Sequence, residues 1–236
     1  IAFRVRTDTS IVGGEEAEPN SEPSMVAIIA NGHLRCGGVI ISSSHILTAA
    51  HCLLGESIPD IFVVAGEHDT TKYDGTEQFI GVSSINIHPG FDPNMLENNI
   101  AIITLTGSLQ LNNLVQPAKL PFEYGHETFS NIIGTIYGWG TTSFGGSTSN
   151  TLQKADINII ANSQCYNYYP TLTSGMLCSY TPGKDACQYD NGGGLFYKIN
   201  GNNFVIGIIS HGQGCASGYP TVYTRVTAYL NWITQI

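Results

Sequence analysis

Apolar residues along the chain gather in short runs separated by turn formers, a rhythm of strands and turns. Met25–Ala30, Gly38–Ile41, Ile61–Ala65, Ile100–Leu105, Ile132–Tyr137, Ile157–Ile160 and Phe204–Ile209 all have strand length. Between them, Thr141–Asn150 is rich in Gly, Ser and Thr and reads as a surface loop, and Asn200–Asn203 reads as a hairpin turn. The closing stretch Val226–Ile236 is the best helix candidate, with Tyr229, Leu230, Trp232 and Ile233 as its apolar positions. The pattern predicts an all-β sandwich or barrel with a C-terminal helix, without internal repeats.

Composition narrows the class. A chain of 236 residues, 42% hydrophobic and 10% aromatic, can bury one large β core or two halves sharing one. A net charge of −9 argues against nucleic acid or anionic lipid as the main partner. No apolar run approaches the roughly 18 residues of a membrane helix, and the first ten residues lack a signal-peptide pattern. Six cysteines without a CxxC pair point to an oxidising, extracellular setting rather than to zinc or redox chemistry. Spacing alone leaves 15 ways of pairing them.

Four stretches then give the chain a family likeness. They are Ile11-Val12-Gly13-Gly14, Leu47-Thr48-Ala49-Ala50-His51-Cys52, Asn98-Asn99-Ile100-Ala101-Ile102-Ile103, and the run from Lys184 to Leu195. Gly138-Trp139-Gly140 and Tyr219-Pro220-Thr221-Val222-Tyr223-Thr224 fit the same order and spacing. Together they resemble the chymotrypsin/trypsin family of serine proteases, and in detail the secreted arthropod forms of venom, saliva and haemolymph. The resemblance implies two six-stranded antiparallel Greek-key β-barrels over residues 11–236, with a C-terminal helix. It also implies the disulfides Cys36–Cys52, Cys165–Cys178 and Cys187–Cys215. Residues 1–10 are expected to be an uncut segment of the pro-peptide kind.

Such enzymes cut peptides with a Ser nucleophile, a His base and a buried Asp that orients and charges the base. By resemblance the base is His51, while Asn99 stands at the Asp position and Asn191 at the Ser position. A neutral amide cannot stabilise an imidazolium, and a carboxamide has no alkoxide to generate. The oxyanion-hole positions are Tyr189 and Asn191. Tyr189 replaces a glycine there, and it is expected to resist the required backbone and to project its ring into the cleft. Asp185 matches the acidic specificity residue, with Ser210, Gly212 and Thr221 along the pocket; Thr221 is expected to narrow it.

Two more expectations follow from the resemblance. Glu67, Asp69, Lys72, Asp74 and Glu77 match a calcium loop, by carboxylates, by two carbonyls and through water. Ile11 and Asp190 match the pair that forms on activation cleavage. Ser10–Ile11 lacks an adjacent basic residue, so a zymogen-like chain is expected, in which Asp190 does not meet an Ile11 amine. The sum is a secreted, monomeric, non-catalytic homologue that binds a protease, an inhibitor or a cascade substrate. A trypsin-like enzyme with residual activity, an inactivated zymogen, and an inert storage protein are the competing readings.

Overall fold

The computed structural model describes residues 11–236; the expected pro-segment, residues 1–10, lies outside them. A two-residue strand, β1 (Glu15–Glu16), is followed by β2 (Met25–Ala30), β3 (His33–Ile40), β4 (His45–Thr48), β5 (Ile61–Ala65), β6 (Gln78–Ile87) and β7 (Ala101–Leu105). Strands β2 to β7 close into a first barrel in the order β2-β3-β4-β7-β6-β5. Strand β2 is wrapped on both faces: five of its six residues are buried, so it forms a continuous apolar run instead of alternating.

The second barrel uses β8 (Ile132–Gly138), β9 (Gln153–Ile160), β10 (Met176–Ser179), β11 (Gly194–Ile199), β12 (Asn202–His211) and β13 (Thr221–Arg225). They run in the order β9-β10-β13-β12-β11-β8, and the β8–β9 pairing closes the ring. Strand β9 alternates buried and exposed positions with period two, one side chain in and the next out. The β11–β12 hairpin turns on Asn200 and Gly201, both in the left-handed region (φ 50° and 81°), while Asn202 and Asn203 of the turn expected over Asn200–Asn203 already belong to β12. Strand β1 pairs along β9 through Glu15↔Lys154 and Glu16↔Gln153.

The helical tail is shorter than expected. Val226–Tyr229 forms a 3₁₀ turn, and α2 (Leu230–Ile233) completes it; a one-turn α1 (Asn162–Cys165) sits after β9. Val226, Tyr229, Leu230 and Ile233 belong to the hydrophobic cluster that joins the core of the first barrel to Phe196, Val205 and Ile208 of the second. His88 meets Tyr229 and Trp232 edge-on at 5.3 and 5.1 Å. The tail is therefore a strap across both barrels. All three implied disulfides are present: Cys36–Cys52, Cys165–Cys178 and Cys187–Cys215.

Candidate functional site

A cavity of 260 Å³ opens where the two barrels meet, lined among others by His51, Leu96, Asn191, Ser210, His211 and Thr221. His51 sits on the 3₁₀ turn Ala50–Leu53 that follows β4, and Cys36–Cys52 ties this turn to β3. Asn99 enters just before β7 and is fully buried. Thr224 of β13 holds its carbonyl through a 2.7 Å hydroxyl hydrogen bond. The Tyr229 hydroxyl donates to Asn98 Oδ1 at 2.9 Å, so the presenting segment is fixed from both barrels.

The orientation of the Asn99 carboxamide decides what His51 can do. The His51 backbone N–H donates to Asn99 Oδ1 at 3.0 Å. A backbone N–H has no acceptor role, so this contact puts the oxygen on that side and the nitrogen on the other. Asn99 Nδ2 then donates to His51 Nδ1 and to Ser210 Oγ, each at 2.8 Å. Oδ1 lies farther from Nδ1, at 3.2 Å, so the amide hydrogen decides the contact and Nδ1 accepts. The ring proton therefore resides on Nε2. In that tautomer His51 presents an N–H, not a lone pair, toward the cleft. Burial is the main cause that lowers the His51 pKa below the ordinary imidazole value, and the Arg35 charge lowers it further.

Ser210 extends the chain of hydrogen bonds. Its oxygen, which accepts from Asn99, also pairs with His211 Nδ1 at 3.0 Å. Burial, reinforced by His51, pushes the His211 pKa down to about 4. The His211 ring stands edge-on to Tyr169 at 5.8 Å. The cleft thus presents two neutral imidazoles and, from Asn191, a carboxamide.

On the second barrel, the turn before β11 is held by its own acid. Asp190 is buried, and its carboxylate accepts from the backbone N–H of Gly140 at 2.8 Å and of Cys187 at 2.9 Å. Burial pushes its pKa up to about 7 against those two donors. Side chains on Gly138 or Gly140 would overlap Asp190 Oδ1, which explains the glycine pair around Trp139. The Gly37 N–H of β3 donates to the Asn191 carbonyl at 2.9 Å, stitching this turn to the first barrel.

Tyr189 departs from its expected behaviour. Its backbone takes the left-handed conformation (φ 71°), at a cost on the order of 1–2 kcal/mol for a residue with a side chain. Its ring is 43% exposed and does not line the cleft. The turn thus tolerates tyrosine because the ring escapes to solvent. Asp185 also turns away: the Thr221 hydroxyl donates to its Oδ1 and the Ala216 N–H to its Oδ2 at 2.8 Å. Gly212 lies beside Thr221 on the cleft wall.

The activation positions are both interior. Ile11 is fully buried among Ile136, Ala155 and Ala186 of the second core, and Val12 bridges to Asp185. In the acidic loop, Glu67 has a buried Oε1 without a hydrogen-bond partner. Burial raises its pKa, and the charges of Glu77, Asp69 and Asp74 raise it further. Burial also opposes ionisation of Glu77, but backbone N–H groups at Asp74, Glu77, Gly75 and Thr76 outweigh it and hold its pKa low. Lys72 pairs with the Asp69 carboxylate at 2.6 Å, and the Lys72 N–H donates to the Asp69 carbonyl. An orphaned carboxylate oxygen repelled by three neighbouring anions fits a hard cation. Among the described residues, Cys36, His51 and Cys52 also lie within metal-ligand distance of one another, but both sulfurs are bonded to each other.

Sequence reasoning found the positions and missed two couplings. The role of Ser210 as a relay between Asn99 and His211, and the lock of Thr221 on Asp185, pair residues 111 and 36 positions apart. A polar residue facing a pocket acid was the one signal for the second.

Comparison with known proteins agrees with this architecture. The family model described as Trypsin matches residues 11–233. Trypsin-1 of Astacus astacus is 38% identical over 235 residues, covering 94% of this chain and 98% of the relative. Venom serine protease 34 of Apis mellifera is 34% identical over 98% of this chain, which spans 59% of that longer protein. Venom serine protease of Polistes dominula is 33% identical over 94% of this chain and 83% of its own length.

Proposed function

Because the chain belongs to the trypsin family of serine proteases, we propose that it is a secreted, non-catalytic homologue that works by binding. The observation that carries this reading is the Asn99 amide, which donates to His51 Nδ1 at 2.8 Å and leaves the ring's proton on the cleft side. Beside it Asn191 offers a carboxamide where an alkoxide would have to form. A base that holds the wrong proton and a residue that cannot be activated remove the covalent route together.

What remains is a docking surface. The cleft stays open between the barrels, with its turn held by Asp190, so a peptide segment of a protease, an inhibitor or a cascade substrate can lie in it without being cut. Three disulfides and venom relatives support an extracellular setting. Calcium is the proposed structural cofactor. Glu67 and Glu77 would hold it by carboxylate, Asp69 and Lys72 by carbonyl and Asp74 through water, neutralising the acidic loop.

The test is a fluorophosphonate serine-hydrolase probe together with a peptide library, applied to pure protein. No labelling and no cleavage are expected. Labelling or turnover that disappears in His51→Ala would overturn the non-catalytic reading. A pull-down from the animal's body fluid should retain a defined protein partner, and an empty eluate would favour an inert protein.

A further inference from the structure

Away from the cleft, and sharing no residue with it, a second cavity of 510 Å³ opens at the seam between the barrels. Its size falls within the roughly 300–1,000 Å³ of small-molecule sites. One side is made by residues 21–24, ahead of β2, and by residues 116–119, on the way from the first barrel to the second. These segments are fixed by backbone hydrogen bonds: the Gln116 N–H donates to the Pro23 carbonyl at 3.0 Å, Ala118 to Ile40 at 2.8 Å and Val205 to Lys119 at 3.1 Å. The other side presents Ile133, Thr135 and Tyr137, alternate residues on one face of β8, which β9 holds along its whole length. The cavity is therefore preformed.

Its charges lie at two depths. Glu22, inside, is only 6% exposed. Its Oε1 accepts from the Ser24 N–H and hydroxyl, and its Oε2 from the Asn203 amide. Among the described residues no cation lies within ion-pair distance of it. A buried carboxylate without a counter-charge is costly. Burial raises the Glu22 pKa against those hydrogen bonds, as expected of an acid that lacks its cation. Two exposed lysines line the same cavity without reaching the acid: Lys119 Nζ donates to Asn202 Oδ1 at 2.7 Å, and Lys198 has no ion pair among the described residues.

The remaining wall is apolar with one polar handle. The Tyr137 ring meets Phe196 edge-on at 5.8 Å, and its hydroxyl makes no hydrogen bond to the described residues. Burial pushes the Tyr137 pKa up to about 12, with the Glu22 charge the next cause, so the phenol senses the acid. Ile133 leaves 61% of its surface uncovered. A simple cation would have to pass a rim of two lysines, and a simple anion would leave Glu22 unpaired. A ligand carrying both charges answers both depths.

We propose that this cavity binds a zwitterion of the amino acid class, its ammonium on Glu22 and the Tyr137 hydroxyl, its carboxylate on Lys198 at the rim and its apolar side chain over Ile133. The site is independent of the cleft, and nothing in it requires or prevents catalysis.

Calorimetry on the native protein tests it with three probes of one shape: L-phenylalanine, phenethylamine, which lacks the carboxylate, and 3-phenylpropionate, which lacks the ammonium. L-Phenylalanine should bind saturably and at least about tenfold tighter than either analogue, the scale of one charge-assisted hydrogen bond. Glu22→Gln, which keeps the shape and removes the charge, should weaken L-phenylalanine and phenethylamine about tenfold and spare 3-phenylpropionate. Lys198→Ala, a surface change that leaves folding alone, should weaken L-phenylalanine and 3-phenylpropionate and spare phenethylamine. Absence of saturable L-phenylalanine binding to the native protein would overturn the proposal. So would an analogue that binds as tightly as L-phenylalanine, or an L-phenylalanine affinity unchanged in Lys198→Ala. The covalent serine-hydrolase probe reads a different cavity, so failure here leaves the non-catalytic reading in place.

Discussion

The two barrels bring different things to the cleft, and in the reading proposed above each departs from protease chemistry in a different way. The first barrel supplies His51 and Asn99 in a hydrogen-bond frame that is complete: backbone N–H, ring nitrogen and Ser210 hydroxyl all meet the same side chain. There the change is one of proton direction, an amide donating where a carboxylate would accept. The second barrel supplies a turn whose backbone is braced by Asp190 and stitched to β3. Its side chains there are Asn191, an outward Tyr189 and an Asp185 capped by Thr221. The contrast teaches that backbone geometry and chemistry are separately maintained. The turn is also the seam between the barrels, so folding requires it whether or not a peptide is cut.

The sharpest way to break this comparison is to restore one barrel at a time. Asn191→Ser alone should give no turnover above background on a peptide with Ala before the scissile bond, because His51 still holds its proton on Nε2. Adding Asn99→Asp replaces the donating amide with a carboxylate that accepts from Nδ1–H, freeing Nε2 to act as base. The double variant should exceed the single by about 10⁴ in rate, the factor that separates the correct tautomer from the wrong one. Appreciable hydrolysis by Asn191→Ser alone would mean that the first barrel was never defective, and that Tyr189 leaves the oxyanion site usable.

A second test separates seam from chemistry by stability. Gly192 has a φ of 80°, and a Cβ there would overlap Thr48 Oγ1 and the Gly37 carbonyl of the first barrel. Gly192→Ala should cost about 3 kcal/mol through backbone strain and overlap. Asn191→Ala, one residue earlier, should cost less than about 1 kcal/mol, since its structural contact is the backbone carbonyl. Chemical denaturation measures both, and equal losses would deny that the turn's backbone and side chains play separate parts.

Much of this was legible in the sequence, unevenly. The apolar runs at Met25–Ala30, Ile61–Ala65 and Ile132–Tyr137 became strands within a residue or so, because burial forced them to be apolar. The patterning did not single out the short strands β4 and β10, nor β11, nor β6, whose ten residues are mostly half-buried and carry a mixed pattern, nor β13, whose Thr and Arg positions look like loop. The helix expected over Val226–Ile236 came out as a 3₁₀ turn and one α-helical turn, because its apolar residues serve the cluster that joins the two barrels. At the site, family motifs located His51, Asn99 and Asn191, whereas the Asn99 orientation depends on a backbone N–H that no local pattern announces. The Tyr189 ring was expected inside the cleft; exposure of the turn lets it point out.

The acidic loop of the first barrel offers a smaller effect. If calcium relieves the orphaned Glu67 oxygen and the repulsion around it, calcium at 100 times its dissociation constant adds about 2.7 kcal/mol of stability. For a domain of this size that corresponds to a rise of roughly 5–10 °C in melting temperature. Glu67→Gln should abolish the response while leaving the cleft unchanged. An equal rise in that variant would remove calcium from Glu67.

The smallest expected effect is the most direct reading of proton direction. His51 and His211 both have folded pKa values below the unfolded imidazole, chiefly through burial. A base with a depressed folded pKa contributes stability above the unfolded value near 6.5 and loses it as pH falls through the folded one. The two rings' contribution to stability should therefore decline from pH 6.5 toward pH 4, the lower limit set by His211 at about 4, while buried Asp190, raised to about 7, contributes in the opposite sense over the same window. Asn99→Asp supplies His51 with an acceptor for Nδ1–H and an anion beside the imidazolium, which moves its pKa upward and removes part of that decline. His211 keeps its burial, and the new carboxylate can accept the Ser210 hydroxyl that pairs with His211 Nδ1 in the native chain. Nuclear magnetic resonance titration of the two rings separates these responses: the His51 midpoint should move up in the variant. A His51 midpoint that stays in place would show that the amide and the carboxylate present the same proton to the ring, and the difference drawn between the barrels would collapse to the side chain of Asn191 alone.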